Sequence, residues 1–200
     1  IRLAAAEAAG QLPPEQQFEC VLPLSQDPVL AVRMVAAEQL AGLMPPMVGT
    51  PALESPDLSA QQSADERRPQ TAGPLDALFA EYVRVQSQHL DMPSVLTQLS
   101  GFQQARGNTE AAEALLISAL EKNPQASASR MNLADLYRTQ NKEEAARATL
   151  ERGIQLNQGD ASLWFSLALL EVRDGNGEAA LAALEKAASL EETPSYYHYV

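Results

Sequence analysis

Apolar residues recur along this chain at steps of three and four, block after block, and no stretch alternates apolar with polar residues or is enriched in β-branched ones. The pattern predicts helices throughout. In "DPVLAVRMVAAEQLAGL" (27–43), Val29, Val32, Ala36, Leu40 and Leu43 line one helical face. Asp27 stands where an N-cap carboxylate accepts from free backbone N–H groups, and Pro28 follows at the first helical position, where its missing donor costs nothing. Upstream, Phe18, Val21 and Leu22 predict a shorter antiparallel helix entered through Pro13 and Pro14, with Cys20 as a small buried residue. The opening "IRLAAAEAAGQLPP" nearly repeats "VRMVAAEQLAGLMP": Arg2 over Arg33, Ala5 and Ala6 over Ala36 and Ala37, Glu7 over Glu38, Leu12 over Leu43. It reads as the second helix of a repeat that lacks its first, and the chain as an excerpt of a larger protein.

Residues 44–74 break the pattern with six prolines, two glycines and no sustained periodicity, and are expected to form a linker or surface insertion. Helical spacing resumes at Leu75, Leu78, Phe79, Tyr82, Val83 and Gln86. Beyond it a period of 34 governs the chain. Leu99, Leu133 and Leu167 coincide, as do Ser100, Ala134 and Ala168. Gly107, Asn141 and Gly175 mark a shared turn, followed by Ala112, Ala146 and Ala180, then Leu116, Leu150 and Leu184, then Ala119, Gly153 and Ala187. Small residues recur where two antiparallel helices, and the next pair, must come close. "SYYHYV" at 195–200 starts a further first helix.

Asp27, Pro28, Val32, Arg33, Ala36, Ala37 and Leu40 form a "DPxxxVRxxAAxxL" match that resembles the bacterial short-repeat form of the HEAT family. That resemblance implies hydrogen bonds from the Asp and Arg positions between successive repeats. The period of 34 and its small-residue positions resemble the tetratricopeptide repeat, with repeats at 93–126, 127–160 and 161–194. The family's first-helix aromatic is kept as Tyr137 but is Gln103 and Glu171 elsewhere; its closing proline is kept as Pro124 and replaced by Gln158. The expected fold is therefore all-α, an α-solenoid of antiparallel helix pairs: HEAT-like at 1–43, linker at 44–74, tetratricopeptide repeats at 75–200. The order of parts also resembles the C-terminal region of bacterial multihaem c-type cytochromes. This implies haem attached upstream in the parent protein and a periplasmic location, with the cytoplasm as the alternative.

Composition narrows the function. A formal net charge of −12 leaves no basic surface for nucleic acid or for an anionic membrane, and favours basic partners. No apolar run approaches the ~18 residues that span a bilayer. A single cysteine permits no internal disulfide. No phosphate loop, G-x-S-x-G, H-E-x-x-H or C-x-x-C-H motif occurs, and His89 and His198 lack companions at metal-ligand spacing. Glu143 with Glu144, and Glu191 with Glu192, read as solvated faces. The expectation is a non-enzymatic scaffold with no catalytic, metal or cofactor residues in this chain, binding a protein or peptide. The incomplete terminal repeats offer a route to self-association. Groove positions between the packing residues of the first helices are Gln98, Gln104, Met131, Asn132, Asp135, Arg138, Phe165, Leu169 and Arg173. The family's Lys, Asn and Arg clamp for a peptide C-terminal carboxylate is matched at Asn132 alone. The second functional expectation is a docking or assembly arm of a periplasmic multihaem cytochrome.

Overall fold

The structure, a computed structural model, describes residues 2–43 and 73–191. Among the described residues it holds ten α-helices and no strand: α1 (Arg2–Ala9), α2 (Pro14–Val21), α3 (Leu30–Leu43), α4 (Pro74–Gln86), α5 (Pro93–Ala105), α6 (Thr109–Lys122), α7 (Ser127–Thr139), α8 (Glu143–Leu156), α9 (Ala161–Arg173) and α10 (Gly177–Glu191). Short 3₁₀ turns follow α2 and α4. The fold class is all-α, an α-solenoid, as the spacing of apolar residues predicts. Residues 44–72 of the expected linker, and the expected helix at 195–200 with His198, lie outside the described residues.

Two compact units divide the chain, Ile1–Leu90 with Gln98–Ala112, and Asp91–Thr97 with Glu113–Val200. The division differs from the boundary expected at Leu75, because α4 is bound into the first unit. Arg33 on α3 donates through both arms of its guanidinium to Glu81 on α4, each bond 2.8 Å long. Tyr82, fully buried, donates to Glu38 at 2.6 Å. Its ring stacks on Phe102 at 4.5 Å, Phe79 meets Phe102 edge-on at 5.6 Å, and the Arg106 guanidinium lies 4.7 Å over Phe79. These aromatic and cation–π contacts form one column from α4 to α5.

The start of α3 corrects two expectations. Asp27 does not cap the helix: one of its oxygens takes the Val29 N–H at 2.8 Å, the other pairs with Arg2 at 3.3 Å, and its carbonyl accepts from Arg33 at 2.7 Å. The aspartate is thereby held in a turn of its own. The Val29 carbonyl accepts the first helical bonds, so α3 begins at Leu30 and Val29 stays exposed, outside the apolar face. Val32, Ala36 and Leu40 are buried as expected. Cys20 is exposed, contrary to expectation, because the adjacent Val21 takes the inward position and a helix turns ~100° per residue.

In the second half the 34-residue period is visible in the element starts, Pro93, Ser127 and Ala161 for the first helices and Thr109, Glu143 and Gly177 for the second. The turns between them share one geometry. Gly107, Asn141 and Gly175 all have positive φ, at 80°, 57° and 77°. The following residue in each case, Asn108, Lys142 or Asn176, donates its N–H at 2.9 Å to the carbonyl five residues back, Gln103, Tyr137 or Glu171. This is the Schellman closure, which satisfies the otherwise unpaired last carbonyls of a helix and requires a left-handed residue. Ala112, Ala146 and Ala180 are buried at the close approaches, and so are Ala119 and Ala187. The core of the second unit is Ala134, Ala146, Leu150, Ile154, Leu163 and Leu170, with Met131, Tyr137, Trp164 and Leu167 packed against it. Leu184 is 37% exposed where its counterparts Leu116 and Leu150 are buried.

Candidate functional site

The first-helix positions where the tetratricopeptide resemblance expects an aromatic hold Gln103, Tyr137 and Glu171 in this chain. Gln103 and Glu171 are almost fully buried there, and a buried polar group without a partner is costly. Each is answered from the residue five positions on. Asn108 donates to the Gln103 side-chain oxygen at 2.7 Å, and Asn176 donates to Glu171 at 2.9 Å. Where the aromatic is kept, Lys142 holds the same place and its ammonium lies 5.6 Å over the Tyr137 ring. The pairs Gln–Asn, Tyr–Lys and Glu–Asn fall at one fixed pair of positions in the 34-residue period.

A second set of partners crosses from one repeat to the next. Tyr137 on α7 donates to Glu113 on α6 at 3.1 Å. One period later, Arg147 on α8 pairs with Glu171 and Asp174 at α9. Burial, and then the nearby Glu113 carboxylate, push the Tyr137 phenol above its ordinary range. At the base of α9, burial opposes ionisation of Asp160, but bonds from Ser127 and from the Ser162 N–H outweigh it and hold the carboxyl below its ordinary value. Asp160 thus caps α9 and ties it to α7.

The Ser127–Asp160 bond joins the starts of α7 and α9, the two helices that carry seven of the sequence-selected positions. Phe165 and Leu169 are exposed at 49% and 40%, with Val172 next on the same stripe at 57%. Arg173 is exposed at the end of the helix. On α7, Asn132 and Asp135 are exposed and Arg138 is half-buried, held by Asp135 at 2.8 Å. Met131 is also half-buried and leans on the core. Four of the selected residues thus lie on α7 and three on α9, with exposures that range from half-buried to exposed. Val172, three residues past Leu169, was not among the selected positions.

Gln98 and Gln104 belong to the first unit. Gln98 is occupied there: it donates to Glu38 at 2.5 Å and accepts from Gln86 at 3.2 Å. Gln104 is half-buried. Burial, followed by the bond to Glu38, drives the Tyr82 phenol far above its ordinary range, so Tyr82 stays a neutral donor to that carboxylate. Beside this network lies a hollow of about 220 Å³ lined by Glu38, Gly42, Gln98, Gly101, Phe102 and Ala105.

Among the described residues no group of three or more His, Cys, Asp or Glu side chains is placed to hold a metal ion. No described helix is long and apolar enough to cross a membrane. His89 is exposed.

Residues 103–171 match the tetratricopeptide repeat family. Among curated proteins no sequence matches the chain. Similar solved structures include a crystal structure of MamA, 13% identical over 90% of this chain and 89% of that one, with a TM-score of 0.49. A second crystal structure of MamA is 14% identical over 100% of this chain and 97% of the other, with a TM-score of 0.49. PilF of Pseudomonas aeruginosa is 19% identical over 94% of this chain and 77% of its own, with a TM-score of 0.46.

Proposed function

We propose that the chain is a non-catalytic scaffold that holds a protein or peptide partner on the face shared by α7 and α9. The observation that carries this reading is the run Phe165, Leu169 and Val172, three large apolar residues left in water on successive turns of α9. A helix already packed between α8 and α10 gains nothing in stability from exposing them. Apolar patches of this kind rimmed by polar residues mark interaction surfaces, and the polar residues assigned to the rim in this reading are Asn132, Asp135, Arg138 and Arg173. The match of 103–171 to the tetratricopeptide repeat supports a binding role without chemistry. The test is capture of partners by the chain and by its Asn132, Arg138 and Phe165 triple alanine variant. Loss of a specific protein from the variant is expected; equal recovery of every partner would remove the assignment of this face.

A second reading rests on the order of parts, a unit of helix pairs carrying "DPVLAVRMVAAEQLAGL" followed by 34-residue repeats. It makes this chain the docking or assembly arm of a periplasmic multihaem cytochrome of bacteria, with haem carried upstream. Several C-x-x-C-H motifs and a secretion signal in the gene before Ile1 would support it, and their absence would end it.

A further inference from the structure

We propose that the hollow between α3 and α5 is a subsite for one basic side chain, the guanidinium of an arginine or the ammonium of a lysine on a bound peptide. The inference deepens the scaffold reading and rests on it, since a subsite for a single side chain serves a protein that holds peptides. Its floor is open because of two glycines: a Cβ added at Gly42 or at Gly101 would meet nothing within 4 Å. The volume, about 220 Å³, is below the ~300–1,000 Å³ of small-molecule sites and suits one long side chain.

Charge selects the occupant. Glu38 lines the hollow, and no Lys or Arg among the described residues pairs with it. Its Oε1 already accepts from the Tyr82 hydroxyl and the Gln98 amide. Those two neutral donors orient the carboxylate without cancelling its charge. Tyr82 is kept from ionising by its burial, so it never becomes a competing anion. Phe102, buried against Tyr82 and Phe79, adds an apolar wall for the aliphatic stem of such a side chain. The chain as a whole carries a formal net charge of −12, which draws a basic peptide and repels an acidic one. The one arginine of α3, Arg33, is spent on Glu81 and does not fill the place.

The experiment uses the full chain and N-acetyl-arginine amide as probe, titrated at low ionic strength while the backbone amides of Gly42, Gly101 and Ala105 are followed by NMR. Saturable shifts of these three amides are expected, with none from the neutral N-acetyl-norleucine amide. Glu38→Gln, which preserves the shape and the two acceptor bonds, is expected to weaken probe binding at least tenfold. Gly101→Leu fills the hollow and is expected to abolish binding while leaving Glu38 charged; it carries the test if Glu38→Gln does not fold. Equal shifts from both probes, no shifts, or undiminished binding in either folded variant would overturn the proposal. The outcome is independent of the α7 and α9 face, whose own test uses Phe165.

Discussion

Arg147 on α8 pairs with Glu171 on α9 at the same two repeat positions where Glu113 on α6 accepts from Tyr137 on α7. The junction between repeats is conserved in place while its chemistry is exchanged. Glu171 is only 5% exposed, so Arg147→Met leaves a buried carboxylate without its charged partner and is expected to cost ~1–3 kcal/mol in urea unfolding. Arg147→Glu should be worse. Adding Glu171→Tyr, which transplants the earlier junction, is expected to recover most of that loss; a double variant no better than Arg147→Glu would show that the two junctions are not interchangeable.

Arg130 stands on α7 where Leu96 and Trp164 stand in the neighbouring repeats, and it reaches the Pro124 carbonyl at 2.6 Å. A Cβ at Gly153 would run into its Cδ, which explains a glycine where Ala119 and Ala187 serve elsewhere. Gly153→Ala is therefore expected to lower stability, against the ~1 kcal/mol that alanine ordinarily gains over glycine inside a helix. Combined with Arg130→Leu it should be tolerated. A Gly153→Ala variant that melts higher than the parent would refute the close approach.

At 57°, the φ of Asn141 sits in the left-handed region that Gly107 and Gly175 occupy in the equivalent turns. Asn141→Ala is expected to lose about 1 kcal/mol and Asn141→Gly to lose nothing, or to gain a few tenths, by thermal unfolding. Equal losses in both would mean the turn does not depend on that conformation.

Much of this was legible beforehand, and the reason is periodicity. Gly107, Asn141 and Gly175 mark their turns in the sequence because a left-handed residue is needed at one fixed step of a 34-residue unit, and the helix starts follow from them. What could not be read is what has no period. Arg33 and Glu81, or Glu38 and Tyr82, lie far apart in the chain across residues with no pattern, so the bond of α4 to α3 was invisible and α4 was assigned to the repeats. Asp27 illustrates a local failure: its carboxylate fits a helix cap by sequence, but Arg2 and Arg33 hold it in a turn instead. On the candidate face, the exposed places on α9 were legible from the register. The occupation of Gln98 by Glu38 and Gln86 was not.

The Arg33 and Glu81 pair gives the first unit a pH dependence. The hydrogen bonds from Arg33 hold the Glu81 carboxyl below its ordinary value of 4.5. A lowered carboxyl binds its proton less readily folded than unfolded, so its contribution to stability is complete above about pH 4.5 and drains away as pH falls through the folded value. Urea midpoints at neutral pH and at pH near 3 should differ less for Glu81→Gln than for the parent. An unchanged difference would remove Glu81 from the account.

The central claim, that the face of α7 and α9 holds a partner, is tested most directly by calorimetry with the partner isolated on this chain, titrated against the parent and against Phe165→Ala with Leu169→Ala. Both side chains are exposed, so the fold should be untouched while affinity falls at least tenfold. Unchanged affinity in the folded double variant would contradict the claim.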